Sequence, residues 1–145
     1  MKIEIKRFPE LTTAELYEIL RCRAEVFVVE QDCVYQDVDG RDMRSVHIFA
    51  VEGGQILSYL RVIEPGADGE PVHIGRVITM KEARRRGLAR QLMMKGIEIA
   101  RTMSAPVELE AQLYIRDFYR SVGFVECSGE YILDGMPHVR MRLQE

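Results

Sequence analysis

The order of elements along this chain predicts a mixed α/β fold, one mixed sheet with helices on its faces. Three observations carry the prediction. Short alternating or β-branched apolar runs recur through the sequence, as half-buried and buried strands require. Two segments, near residues 13–29 and 88–103, instead repeat apolar side chains at helical spacing. Turns containing Gly or Pro punctuate them and give the order β α β β β α β α β β. At 145 residues the chain suits one domain, residues 1–145, with enough sequence for a core.

Ile3 and Ile5 alternate with charged residues, so residues 2–8 form a first strand that ends at Pro9. Thr12-Thr13-Ala14-Glu15 has capping-box spacing and opens a helix. Leu16, Ile19, Leu20, Arg23 and Phe27 continue it to about Val29. Residues 30–42 are acidic and irregular, long for a plain connection, and read as a functional loop or a short helix. Residues 46–52 and 55–63 form a hairpin across Gly53-Gly54. A surface loop follows at 65–71. The strand at 72–80 carries Gly75 in its interior, where a glycine marks a bulge or a close approach. Leu88, Leu92, Ile99 and Met103 give the next helix its apolar stripe, and Ala105-Pro106 stops it. Residues 107–111 make another strand. Ile115, Phe118, Tyr119 and Val122 are the apolar side of a short helix over 114–122, with Gly123 in the position after its C-cap. Two strands, 124–133 and 138–143, close the chain across Asp134-Gly135-Met136-Pro137.

Apolar and charged fractions of 47% and 30% are those of a soluble globular protein. A net charge of −3 argues against an extended nucleic-acid surface. RNA binding through Arg84, Arg85 and Arg86 is disfavoured for the same reason, and no aromatic platform stands beside them. Cys22, Cys33 and Cys127 are odd in number and far apart, so they read as free thiols of a reducing compartment. No signal-peptide pattern and no run of membrane-spanning length is found. The expectation is a cytoplasmic protein with no membrane partner, and the apolar closing strands could pair between subunits as a homodimer.

Chemistry concentrates in residues 74–100. An apolar strand leads into Arg84-Arg85-Arg86-Gly87, and a helix begins directly after it. A helix N-terminus offers free backbone N–H groups and partial positive charge. With three arginines and a glycine beside it, the turn reads as an anion site, most naturally for phosphate. An arginine-rich solvated turn with a helix cap explains the same residues equally well.

The wider chain separates the two. Arg84-x-x-Gly87-x-Ala89, after a strand and opening a helix, resembles motif A of the GNAT-type N-acetyltransferases. Phe118-Tyr119-Arg120-Ser121-Val122-Gly123-Phe124 resembles the family's second signature, a helix ending in Tyr-x-x-x-Gly-Phe. Residues 23–31, Ile74-Gly75-Arg76-Val77, Leu109-Glu110-Ala111-Gln112 and Gly135-Met136-Pro137-His138 are similar to the ElaA-type branch. The resemblance implies a single GNAT-like domain. Its central sheet is mixed, mostly antiparallel and splayed at the cofactor site, with helices on both faces. It implies acetyl-CoA as cofactor, with its pyrophosphate on the N–H groups of Arg86, Gly87, Leu88 and Ala89 and assisted by Arg84 and Arg85. The pantetheine arm would lie along Val77, Ile78 and Thr79, where Gly75 is placed to open the strand. Gln112 stands where many members carry an Asn that contacts the cofactor, and Arg116 is a further candidate on the adenosine side.

The implied reaction moves an acetyl group to the primary amine of a small molecule or peptide. A non-catalytic CoA-binding sensor or interaction module on the same fold is the alternative. Tyr119 takes the family's general-acid position. A phenol of pKa about 10 can protonate a thiolate whose conjugate acid lies at about 8.5; without the resemblance Tyr119 reads as a core tyrosine. Glu110 and Glu30 are the candidate general bases. Glu108 and Glu110 share one strand face, and a structural ion pair of Glu110 with Arg76 explains the residue as well. His47 and His73 titrate in a suitable range but read as structural. A water chain would need no single base. Glu30, Asp32, Asp37, Asp39 and Asp42 could together attract a cationic amine or belong to an ordinary solvated loop. Their spacing does not fit a calcium loop, and no metal is expected.

Overall fold

The computed structural model describes residues 1–67 and 69–145; Asp68, in the expected surface loop, lies outside the described residues. Strand β1 (Lys2–Arg7) pairs antiparallel with β2 (Ser45–Glu52). Strand β2 forms the expected hairpin with β3 (Gln55–Ile63). Gly53 and Gly54 supply its turn with left-handed backbone, φ +59° and +78°, which matches the twist of the flanking strands. Strand β3 pairs antiparallel with β4 (Val72–Thr79), and β4 runs parallel to β5 (Val107–Gln112). Strand β5 pairs antiparallel with β8 (Met136–Leu143), whose other side carries β6 (Phe124–Glu126) and β7 (Tyr131–Leu133). The eight strands form one mixed, mostly antiparallel sheet in the order β1-β2-β3-β4-β5-β8-β6, with β7 beside β8.

Helices cover both faces. Helix α1 (Thr13–Arg23) opens on the expected capping box: Thr12 Oγ1 accepts from the Glu15 N–H at 3.0 Å, and Glu15 Oε1 accepts from the Thr12 N–H at 2.8 Å. The helix expected to run on to Val29 changes character instead. Residues Ala24–Glu30 widen into a π-helical turn, and the Gln31 N–H donates to the Val26 carbonyl at 3.1 Å. Helix α2 (Leu88–Arg101) lays Leu92, Met93, Ile97 and Ala100 over Ile48, Leu60, Val62 and Ile74. A Cβ at Gly96 would stand 3.3 Å from Leu60 Cδ1, so glycine permits this close seat. On the opposite face Ile19, Cys22 and Val26 meet Phe49, Tyr59 and Ile78. Alternate residues of β2, β3 and β4 thus serve two cores. Helix α3 (Arg116–Ser121) adds Tyr119 to the α2 side. Among the described residues no helix is long and apolar enough to cross a membrane.

The closing strand expected over 124–133 is two strands. At the break the Ser128 hydroxyl, not a backbone carbonyl, accepts from the Arg140 N–H at 2.9 Å, and the ladder is interrupted. The following turn is tighter than expected. Asp134 and Gly135 alone make it, at φ +50° and +76°, so Met136 and Pro137 belong to β8.

Candidate active site

Strands β4 and β5 align only at Val72 with Val107 and His73 with Glu108. Beyond these pairs they diverge, and a cleft of about 550 Å³ occupies the gap. Val77, Ile78, Thr79, Arg84, Ala89, Gln112, Tyr119, Glu110 and Glu30 all line it. Arg85, Arg86 and Gly87 are exposed in the turn at its end, and Leu88 is buried beneath them. Arg116 does not line the cleft and lies 3.7 Å from Glu130, so its expected place on the adenosine side gains no support from the geometry.

Strand β4 is bulged, though not at Gly75 itself. Arg61 opposes Gly75 and Tyr59 opposes Ile78, so Leu60 faces both Arg76 and Val77. Arg76 carries the strain, at φ +49°. Nothing of the protein lies within 4 Å of a Cβ placed on Gly75, which leaves room on the strand beside the cleft.

Between β4 and α2 the chain turns through Arg85 at φ +67° and Gly87 at φ +72°. No side chain caps α2, and its first backbone N–H to find an acceptor is that of Gln91, on the Gly87 carbonyl at 3.1 Å. The contrast with the closed box of α1 is chemical: the α2 terminus keeps donors for an anion. Arg84 is turned toward a different partner. Its Nη1 and Nη2 grip Glu30 at 2.8 Å each, and its Nε donates to the Thr79 carbonyl at 3.0 Å. The pair with Arg84 holds the Glu30 carboxyl below the usual carboxylate range. That disfavours the proton acceptance expected of Glu30 as a base.

Tyr119 packs edge-on between Phe118 and Phe124, with ring centroids 5.2 and 6.3 Å away. Its hydroxyl meets no partner among the described residues, and burial pushes its phenol up, so it keeps its proton at neutral pH. Across the sheet Leu109 and Ala111 join the core, while Glu108, Glu110 and Gln112 share the other strand face. The two acids differ. Glu108 is buried against Arg142, whose Nε lies 2.8 Å away, with Arg140 at 3.8 Å. Glu110 accepts from the Tyr131 hydroxyl at 3.1 Å, not from Arg76. Burial, then the Glu110 charge, pushes the Tyr131 phenol up to about 12, so Tyr131 is the donor. Gln112 reaches Gln31 at 3.3 Å, and its Oε1 is buried without a donor.

The acidic loop is not a reservoir of free charge. Arg23 binds Asp37 at 3.0 Å and Asp42 at 2.6 Å; Arg61 binds Asp42 at 2.9 Å and Asp39 at 2.5 Å; Arg76 meets Asp37 at 2.8 Å. Burial disfavours the Asp42 carboxylate, but Arg23 and Arg61 outweigh it and hold its pKa low. These three arginines neutralise the charge that would have drawn an amine. His47 is structural, with Tyr59 Oη 2.7 Å from Nδ1 and the Asp42 carbonyl 2.9 Å from Nε2. His73 lines the cleft beside the paired end of β4. The sequence reading missed His138 as a cleft residue; only the β8 register, set by a turn shorter than expected, aligns His138 with Gln112 on one side and Tyr131 on the other. Among the described residues no three His, Cys, Asp or Glu side chains gather as a metal site.

The sequence profile of the acetyltransferase (GNAT) domain matches residues 11–145. Protein ElaA of Escherichia coli is 40% identical over 136 residues, covering 91% of this chain and 89% of its own. The crystal structure of E. coli ElaA superposes with a TM-score of 0.92 at 37% identity, over 99% of each chain. That of an acyl-CoA N-acyltransferase from Pseudomonas aeruginosa gives 0.91 at 40% identity, covering 99% of this chain and 100% of its own. A splayed sheet, an uncapped helix terminus behind arginines and full-length likeness agree: the chain belongs to the GNAT acetyltransferase family, acetyl-CoA-binding transferases, in its ElaA-type branch.

Proposed function

We propose that the protein transfers an acetyl group from acetyl-CoA to a primary amine, of a small molecule or peptide, by direct attack with Tyr119 as general acid. The observation that carries this reading is one cleft bounded by an uncapped, arginine-flanked helix terminus and a buried tyrosine with a free hydroxyl. The residues fit the cofactor. The N–H groups of Gly87, Leu88 and Ala89, with Arg85 and Arg86, suit a pyrophosphate. The edges of β4 and β5 beyond His73 and Glu108 lack a strand partner and suit the amides of a pantetheine arm. The undonated Gln112 Oε1 offers a further acceptor. Bound there, acetyl-CoA supplies a thioester carbonyl open to an amine.

Each residue then has a stated task. Backbone N–H groups of β4 near the Arg76 bulge, on the edge that faces away from β3, would polarise the thioester carbonyl oxygen. Tyr119 Oη holds the proton that the leaving sulfur needs. Phe118 and Phe124, edge-on to its ring, hold that side chain in place at the cleft wall. Thiol release from acetyl-CoA, followed over an alkylamine, an aromatic amine and a peptide with a free N-terminus, tests the reading. Calorimetric binding is measured in parallel. Turnover of at least one amine supports it; tight binding with no turnover on any supports the sensor instead.

A further inference from the structure

We propose that His138 is the proton acceptor for the attacking amine, an inference that rests on the acetyl-transfer reading and identifies its base. Its ring is fixed before any ligand arrives. Nδ1 lies 2.8 Å from the Met136 carbonyl, and a carbonyl can only accept, so the neutral ring carries its hydrogen on Nδ1. Nε2 is left with its lone pair. It meets no protein partner among the described residues, although the side chain is largely buried and forms part of the cleft wall. Tyr131 stacks on the ring at 6.2 Å and 23°, which holds its plane.

Of the acids on the cleft wall, three are engaged, and Asp134 lies exposed in the turn between β7 and β8. Glu30 is gripped by Arg84, Glu110 accepts from Tyr131, and Asp39 is bound by Arg61. His73 stands at the closed end of the splay, where β4 still pairs with β5, and burial disfavours its protonation. His138 is differently placed. It pairs with Gln112, at the far end of β5 where the strands have parted. Glu110 is its diagonal neighbour on the same face, about 7–8 Å away by sheet geometry.

The step balances. The amine nitrogen bonds to the acyl carbon and gives one proton to His138 Nε2. The C–S bond breaks, sulfur keeps the electron pair, and Tyr119 Oη supplies its proton. His138 then releases its proton to water in the open cleft, and Tyr119 regains one from water.

Two measurements test the assignment. Nitrogen-15 NMR of the ligand-free protein reads the tautomer directly: a neutral His138 protonated on Nδ1 is expected, and one protonated on Nε2 overturns the proposal. His138→Asn keeps a donor for the Met136 carbonyl and lacks the base. Its single-turnover rate, on the best amine of the panel above, is expected to fall about hundred-fold or more. Calorimetric affinity for acetyl-CoA should stay within two-fold. A rate within three-fold of wild type overturns the proposal and leaves acetyl transfer standing. A wild-type protein that binds acetyl-CoA and acetylates no amine overturns both. Should the Asn variant fail to fold, the tautomer still decides.

Discussion

Arg76 holds a left-handed backbone that costs an L residue about 1–2 kcal/mol. Its guanidinium offsets that cost: Nη2 donates to the Asp37 carbonyl at 2.9 Å, and the group lies over the Tyr35 ring at 5.4 Å. An inverted order of stabilities follows. Arg76→Gly loses the anchor but relieves the strain, while Arg76→Ala loses the anchor and keeps it. Urea unfolding should therefore find the alanine variant less stable than the glycine variant by about 1 kcal/mol. Tyr119 yields a kinetic prediction. Removing only its hydroxyl should lower the single-turnover rate about ten-fold or more while acetyl-CoA affinity, by calorimetry, stays close to wild type. An unchanged rate would exclude Tyr119 from proton transfer.

At the scale of elements, what was local was legible. Thr12 and Glu15 sit three residues apart, and their capping box formed as read. Gly53-Gly54 made its hairpin, because two-residue turns are set by their own backbone. Pairings between distant side chains were not legible. Arg23 finds Asp42 across 19 residues, Arg76 finds Asp37 across 39, and Arg84 finds Glu30 across 54. A run of acids shows its charge in sequence and conceals which arginines the fold brings to it. His138 was missed for a related reason, since its register depends on Asp134 and Gly135 alone making the turn. The Arg84–Glu30 grip joins the π-helical turn to the loop before α2, and in the proposed acetyl-CoA site it would compete with the pyrophosphate for Arg84. Glu30→Gln frees Arg84, so its dissociation constant for CoA should fall several-fold at low salt and converge on wild type as salt rises. Weaker binding by the variant would place Glu30 among the binding groups.

For the molecule as a whole, pH acts through its desolvated and ion-paired groups in two stages. Burial lowers the folded pKa of His47 and of His73 below the ordinary value of about 6.5. The unfolded chain then binds more protons, so their contribution is full above about pH 6.5 and is lost as pH falls toward the folded value. Asp39 and Asp42, held low by arginines, contribute above about pH 3.9, and that part is lost only in stronger acid. Urea midpoints should decline between pH 7 and 5, and His47→Gln should reduce that decline. A wild-type midpoint flat over this range would contradict the assignment.

The parting of β4 from β5 has a consequence for how the chain assembles. Strands β1 to β4 pair among themselves within residues 2–79, and β5 to β8 within residues 107–143. The ladder between the two groups is only two residues long. Within each group the pairings range from the tight β2–β3 hairpin to β1 on β2, where Lys2 meets Val51. Helix α2, packed on strands of both groups, is the part left to join them. The gap that admits a ligand is thus also the seam between two groups of strands, bridged on one face by α2 and a single shared core.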